Sequence, residues 1–417
     1  MKTKFFPLII TILLLHAWDH VQAQSTALPF LEISTSPETN GMGGIGTPYP
    51  SVDALAVISN PGQLGLFSLH NNFSAGSFVR DTKWLPAFNI DGLTYGCRGV
   101  SVGLNMIDKL NLPVSASIGI GYTQVDLGLG KFTLTDQYGP DPIGTFEAKE
   151  FSQNLSVAIG VEYFARLGFG WNVKRVTSNL GIATAKVWMN DFGILLDVPV
   201  APIVESLTGS SLEISPNLRP LLNLSAGRTT SNIGDGVRYD GAVQDDPLPR
   251  LATLGVAVEA GLTSRLDAFD WNLISFTWLR QADDILVITK YPPYRYEYQD
   301  GIGDIRFIDN VILGKSNEKI YLRKGWQLQA AELLSIRNGS VDAPGLAYET
   351  MGFGLSLGGV FKLLKSGGHM RSTDSWLSKF SEIADVQFHW SSYSSVNSPV
   401  NATEMTSLNI TLKGWPM

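Results

Sequence analysis

Two series of side chains alternate along most of this chain, and one of them is nearly free of bulk. From Val114 to Tyr122 the even positions are Val114, Ala116, Ile118, Ile120 and Tyr122, with Ser115, Ser117, Gly119 and Gly121 between them. Leu155, Val157, Ile159, Val161 and Tyr163 face Ser156, Ala158, Gly160 and Glu162 in the same way, and Leu167, Phe169, Trp171 and Val173 oppose Gly168, Gly170, Asn172 and Lys174. The scheme returns from Leu254 to Leu262, at Phe353, Leu355 and Leu357 among glycines, and at Val386, Phe388 and Trp390 against Asp385, Gln387 and His389. A period of two sends successive side chains to opposite faces of a strand. The chain is therefore all-β, with one apolar face and one small, polar face.

Alternation does not by itself choose between water and lipid, because a soluble sandwich alternates too. A sandwich, however, packs large apolar residues on its inner face, where this chain has Gly, Ser, Thr, Asn and single charges. Composition sharpens the point: 42 glycines, 44% hydrophobic and only 17% charged residues are odd for a soluble protein. Yet no apolar run after the N-terminus nears the ~20 residues of a membrane helix. A transmembrane antiparallel β-barrel reconciles these facts, since each strand needs only ~9–11 residues and shows lipid every second side chain. Segment counting gives about fourteen strands, an even number as in bacterial barrels. Tyr122, Tyr163, Trp171, Trp188, Trp326 and Trp390 are expected at or near strand ends, as an interfacial girdle.

The N-terminus supplies a route to such a membrane. Lys2 and Lys4 precede an apolar run from Phe5 to Leu15, and Val21-Gln22-Ala23 offers small residues to a signal peptidase. The expected organisation is a signal peptide over residues 1–23, a plug or hatch with a short helix over 24–68, and the barrel over 69–417. Polar stretches from Asp136 to Glu147, Thr229 to Asp246 and Lys290 to Asp304 read as extracellular loops. His369 to Ala384 has helical spacing behind Ser372, Thr373 and Asp374, and the Pro-rich stretch from Val198 to Pro220 has room for a short helix.

Several function classes drop out. The net charge of −7 gives nucleic acid no basic face, and Cys97, the single cysteine, permits neither an internal disulfide nor a Cys-rich metal site. Gly41-Met42-Gly43-Gly44-Ile45-Gly46 satisfies a dinucleotide pattern, but Pro48 and Pro50 break the helix that such a site requires. Gly99-Val100-Ser101-Val102-Gly103 and Gly354-Leu355-Ser356-Leu357-Gly358 fit a nucleophile elbow; as interior segments of alternating strands they lack its sharp turn. His70, His369 and His389 form no metal-binding pair, and the acidic pairs Asp245-Asp246 and Asp283-Asp284 are thin ligand sets for calcium. No enzyme, metal or cofactor is expected.

The segment before the first strand carries the remaining signal. Phe30-Leu31-Glu32-Ile33-Ser34 leads to the glycine cluster and then to Ser51-Val52-Asp53-Ala54-Leu55, with Asn60-Pro61 beyond. Ser51 is placed to cap a short helix that Pro61 ends. The natural position for this unit is inside the barrel mouth. In Phe30, Leu31, Ile33, Ser34, Gly41, Met42, Gly43, Gly44, Asp53, Ala54, Asn60 and Pro61 the chain resembles the PorV/PorQ family of outer-membrane proteins, related to FadL-type barrels. Further echoes are Asp191-Phe192-Gly193-Ile194-Leu195, Ser231-Asn232-Ile233-Gly234, Pro247-Leu248-Pro249-Arg250 and Tyr348 to Gly354. The chain departs from the family at Gly62-Gln63, where Ala usually follows Asn-Pro, and at Thr39-Asn40, where a basic residue usually precedes the glycines.

The resemblance implies a fourteen-stranded barrel in the outer membrane of a Gram-negative-type bacterium, with a plug motif of Gly41, Met42, Gly43, Gly44, Asp53, Asn60 and Pro61. It implies two unlike functions. FadL-type relatives pass hydrophobic small molecules, releasing them through a plug rearrangement or a lateral opening; Met42, Ile45, Leu55 and Ile58 are then candidate ligand-lining residues. PorV-type relatives serve type IX secretion, receiving cargo proteins for a surface attachment complex; Tyr291, Tyr294, Arg295, Tyr296 and Tyr298 are then a candidate docking loop. The expected partners are outer-membrane lipid with either a hydrophobic ligand or secretion components and cargo, and transport stands slightly ahead.

Overall fold

The computed structural model describes residues 26–106, 114–136, 139, 141–181, 183–266, 269–290, 295–317, 319–343, 346–366, 383–395 and 398–413. Fifteen strands share one antiparallel sheet, and setting aside the two-residue arm Thr82–Lys83 leaves a ring of fourteen. The ring closes because Asn71–Phe78 (β1) pairs on one side with Leu93–Asn105 (β2) and on the other with Glu404–Lys413 (β14). Between them run Ser115–Thr135 (β3), Pro142–Glu162 (β4), Arg166–Asn179 (β5), Thr184–Pro199 (β6), Leu218–Ile233 (β7), Leu251–Leu266 (β8), Phe269–Ile285 (β9), Ile320–Ala330 (β10), Leu334–Ala343 (β11), Leu346–Ser356 (β12) and Ala384–Ser394 (β13). Each pairs with its sequence neighbour, so every backbone edge is used, which is the condition for crossing hydrocarbon with strands. No helix among the described residues is long and apolar enough to cross a membrane.

The alternation sorts as the sequence demands. On β4 Leu155, Val157 and Ile159 are exposed on the outside, while Ser152, Asn154, Ser156 and Ala158 are buried inside. An apolar exterior around a buried polar interior is the signature of a barrel whose solvent is lipid.

The strands reach further than the bilayer. At ~3.3 Å per residue the 21 residues of β3 and of β4 span roughly 70 Å, far more than a tilted crossing of a ~30 Å core requires. The chemistry of the faces reverses along them. On β3 the outward residues pass from Ile118, Ile120 and Tyr122 to Gln124 and Asp126, while the inward ones pass from Ser117 and Thr123 to Val125 and Leu127. On β2 the inward Leu93, Tyr95 and Cys97 give way to Ser101, and on β6 Ala185, Val187 and Met189 give way to Asp191. Beyond the lipid the barrel is a water-exposed collar with an apolar interior. Trp171, Trp188, Trp326 and Trp390 consequently fall in strand interiors rather than at strand ends, as does Tyr122, while Tyr163 lies just past β4.

Loop boundaries shift for the same reason. Residues 142–147 belong to β4 and 229–233 to β7, so the three stretches shrink or shift to the collar-end connections 136–141, 234–250 and the long 286–319. The last carries a hairpin, Val287–Lys290 with Arg295–Tyr298, and a wide helical turn, Phe307–Ile312. At the opposite end Val200–Thr208 forms the helix expected in the Pro-rich stretch. Leu357–Ser366 is also a helix, where alternation placed Leu357 and Gly358 in a strand. Ser356 and Asp385 redirect the chain there: Asp385 Oδ1 accepts from Gly358 N at 2.8 Å, and Ser356 Oγ accepts from Gly359 N at 3.2 Å. Ser356 thus stands at a strand-to-helix junction, unlike Ser101 inside β2, and its hydroxyl donates to Asp385 at 2.8 Å in a capping role. The helix expected over His369 to Ala384 lies almost wholly outside the described residues.

Candidate functional site: the plugged lumen

The segment from Thr26 to His70 fills the barrel from collar to far end. At the collar, Ala27 N donates to Pro247 O of the 234–250 connection at 2.8 Å, and Leu28 and Phe30 are buried. A short helix, Pro37–Asn40, follows; Ser36 Oγ caps it by accepting from Glu38 N at 3.1 Å. Gly43 and Gly44 then turn the chain with φ of 78° and 72°, left-handed values that glycine adopts without strain. Thr47 and Pro48 press on the wall, Ala56–Ile58 makes one 3-10 turn, and the helix Gly62–His70 leads directly into β1.

Two expectations about this stretch are corrected. Ser51 Oγ accepts from Asp53 N at 3.0 Å, but only a tight turn follows, and the one multi-turn helix begins after Pro61 instead of ending at it. Proline is well suited to a helix start, because the amide it lacks has no partner in the first turn. Asn60 fixes that start: its Oδ1 accepts from Gly62 N at 2.9 Å, and its Nδ2 donates to Thr47 O at 2.7 Å and to Ile194 O of the wall at 3.0 Å. The helix continues to His70, so plug and barrel meet between His70 and Asn71.

Plug and wall meet backbone to backbone. A Cβ on Gly227 would lie 2.0 Å from Thr47 O, and one on Gly339 2.1 Å from Gly43 N; Gly160 and Gly168 stand equally close to Gly65 and Gly62. The small face of the strands is small because the plug is there. Between these contacts polar groups interlock. Asn40 Nδ2 donates to Ser391 Oγ at 3.0 Å, Gly43 N to Thr350 Oγ1 at 2.9 Å, Arg323 Nη1 to Gly43 O at 3.0 Å and Ser117 Oγ to Gly65 O at 2.8 Å.

The centre of this interface is ionic. Arg337 Nη2 donates to Glu38 Oε1 at 3.2 Å, and its Nε donates to Gln327 Oε1 at 2.6 Å. Ser51 Oγ donates to Glu38 Oε2 at 2.5 Å, and Ser36 Oγ to Asp53 Oδ2 at 2.6 Å. Burial opposes the Glu38 charge, but His389 and Arg337 outweigh it and hold its pKa below the ordinary carboxylate value. For Asp53 the balance reverses: burial, aided by the Glu38 charge, outweighs the Ser36 and Leu55 hydrogen bonds and Arg337 and pushes its pKa up to about 6. Asp283 and Arg323 form a second buried pair at 2.5 Å, and Lys174 and Asp191 a third at 2.9 Å.

Above the ionic layer lies the apolar interior of the collar, a chamber filled by the plug. Leu28, Phe30 and Leu55 of the plug pack there with Tyr95, Val125, Leu127, Val187 and Met189 of the wall. Trp84 lies with its ring centroid 5.7 Å from Tyr95 and 5.8 Å from Tyr393.

The candidate residues divide between layers. Leu55 is buried in the chamber and Ile58 packs half-buried against it, whereas Met42 and Ile45 pack lower, with Ala257, Leu279 and Tyr49. Among the plug-motif residues, Gly41, Gly43 and Gly44 shape close contacts, and Asp53 and Asn60 hold turns through their side chains. Tyr291 and Tyr294 lie outside the described residues. Arg295 is exposed, while Tyr298 joins two loops: its hydroxyl accepts from Leu248 N at 2.8 Å and its ring lies 3.8 Å below the Arg250 guanidinium. Glu38, Arg323, Arg337, Trp84, Tyr95 and Tyr393 were not singled out from sequence. The change of face chemistry at Thr123-Gln124-Val125-Asp126-Leu127 is the signal that locates the chamber.

No protein-family model matches the chain, and no characterised protein matches it in sequence. Among solved structures it is similar to the CymD monoaromatic hydrocarbon channel, at 10% identity over 92% of this chain and 98% of that one, with a TM-score of 0.39. The toluene transporter TodX of Pseudomonas putida gives 10% identity over 91% and 98%, with a TM-score of 0.36. OccAB3 of Acinetobacter baumannii gives 5% identity over 83% and 98%, with a TM-score of 0.32. The barrel itself rests on the closed strand pairing of this chain.

Proposed function

We propose that the protein is an outer-membrane barrel of the FadL-like, PorV/PorQ-resembling type, exported by its N-terminal signal peptide, that passes hydrophobic small molecules without catalysing a reaction. The observation that carries this reading is the apolar chamber inside the collar, occupied by Leu28 and Phe30 of the plug. A water-filled pore has no use for an apolar antechamber, whereas an apolar solute gains by leaving water for it, at about 25 cal/mol per Å² of surface buried. Such a solute competes with Leu28 and Phe30 for the same walls, and its onward path requires the ionic layer around Glu38 to loosen. Leu55 and Ile58 line the lower side of the chamber in this scheme, while Met42 and Ile45 hold the plug to the wall.

Uptake of a labelled monoaromatic compound by cells expressing the full chain tests the proposal. Tyr95→Asp and Ile58→Asp each place a charge in the chamber and are expected to abolish uptake, with the heat-modifiable gel mobility of the barrel unchanged. Uptake equal to wild type in both variants would sink the reading. The secretion role that the resemblance also implies would use the 286–319 connection. Tyr298 there braces the neighbouring loop, which favours transport; recovery of secreted cargo or attachment partners in a pull-down of the native protein would reverse that preference.

A further inference from the structure

Arg228 is among the cationic side chains on the outer face of the wall. Arg228 points outward from β7, is exposed, and has no ion-pair partner among the described residues. It does not sit at the bilayer centre. The outward residues of β7 run Leu222, Leu224, Ala226, Arg228 and Thr230, so the arginine marks the level at which that strand leaves hydrocarbon. There a guanidinium costs far less than at mid-depth, because water and headgroups reach it.

From this position a groove of about 450 Å³ crosses the outside of β7, β6, β5 and β4. Arg228 and Thr230 line one end, Phe192 and Ile194 the middle, and Phe169 and Ile159 the other end. Register fixes its direction. Arg228 stands opposite Ile194, Ile194 opposite Phe169, and Phe169 opposite Ile159. On β4, Ile159 lies three outward positions below Gln153, where that strand turns polar. The groove therefore begins at headgroup level beside a free guanidinium and descends into hydrocarbon. Its floor includes the strand backbone at Gly170 and Gly193, whose Cβ positions point the other way, into the lumen against Pro61 and Asn60 of the plug.

We propose that this groove binds one anionic, phosphate-bearing lipid of the surrounding membrane, with the phosphate on Arg228 and Thr230 and an acyl chain along Ile194, Phe169 and Ile159. The guanidinium is a planar donor suited to phosphate oxygens, and the pairing strengthens where water is scarce. This inference depends on the barrel standing in lipid and not on what passes through it.

Native mass spectrometry of the full chain extracted from vesicles of equal phosphatidylglycerol and phosphatidylcholine tests it. Wild type is expected to retain one phosphatidylglycerol at least fivefold over phosphatidylcholine. Arg228→Gln is expected to bring that ratio below twofold, and Arg228→Lys to keep most of it. Val157→Trp fills the groove but leaves the guanidinium, and is expected to lose the retained lipid; heat-modifiable mobility confirms the fold of each variant. An unchanged ratio in Arg228→Gln, or undiminished retention in Val157→Trp, overturns the proposal.

Discussion

Glu38 Oε1 lies 3.2 Å from Arg337 Nη2, joining plug to wall through a pair in which the arginine side chain is 3% exposed. A pair this dry adds little net stability, yet removing one member strands the other's charge. Glu38→Gln should weaken plug docking by about 3–5 kcal/mol, whereas replacing both residues with Met should be nearly neutral. Hydrogen exchange over residues 36–60 measures the difference; equal protection in Glu38→Gln and wild type would count against a docking role.

Asp53 gives the plug a dependence on pH. Its folded pKa of about 6 lies above the ordinary 3.8, so the folded chain holds the proton more tightly than the unfolded one. The contribution is full below pH ~4 and is lost as pH rises through 6, up to about 3 kcal/mol in all. Glu38, shifted the other way, loses its contribution only in more acid solution. Thermal melts from pH 4 to 7 should therefore show a decline that Asp53→Asn flattens.

Bulk on the inner wall should act on the plug alone. Gly227→Val places side-chain atoms where Thr47 O now sits, 2.0 Å from the position of a Cβ. Proteolysis within residues 26–61 is expected to rise at least tenfold while heat-modifiable mobility persists. Loss of that mobility as well would mean that wall and plug fail together.

Tyr298 ties two collar loops. Tyr298→Leu removes the acceptor for Leu248 N and the ring beneath Arg250, about 1–2 kcal/mol of local stability. Limited proteolysis should cut faster within residues 234–250 and leave the strands intact.

The barrel was legible because alternation is written locally, in residues such as Leu155 to Tyr163. About fourteen strands followed from that pattern, and the plug from the separate glycine-rich segment ahead of them. What the pattern hides is its own limit: period two continues through Val125 and Leu127, but the medium outside changes from lipid to water, and the inner face becomes apolar. Ser356 and Leu357 mislead in a related way, since the strand that they extend stops where Asp385, 27 residues beyond Gly358, captures its amide. Glu38 and Arg337 are 299 residues apart, and no short-range signal couples them. Asn60 and Pro61 were recognised as a motif, but their grip on Gly193 and Gly170 is a property of the closed ring.

The backbone contacts at Gly160, Gly168, Gly227 and Gly339 also bear on how the molecule is made. A lumen this close-fitting leaves no clearance for a folded plug to slide in after closure, and the plug helix runs without a break into β1. The strand that seals the ring, β14, is the last of the described strands in chain order. The plug thus stands as the mandrel around which the sheet is wound, and the seam between β1 and β14 is the final stitch.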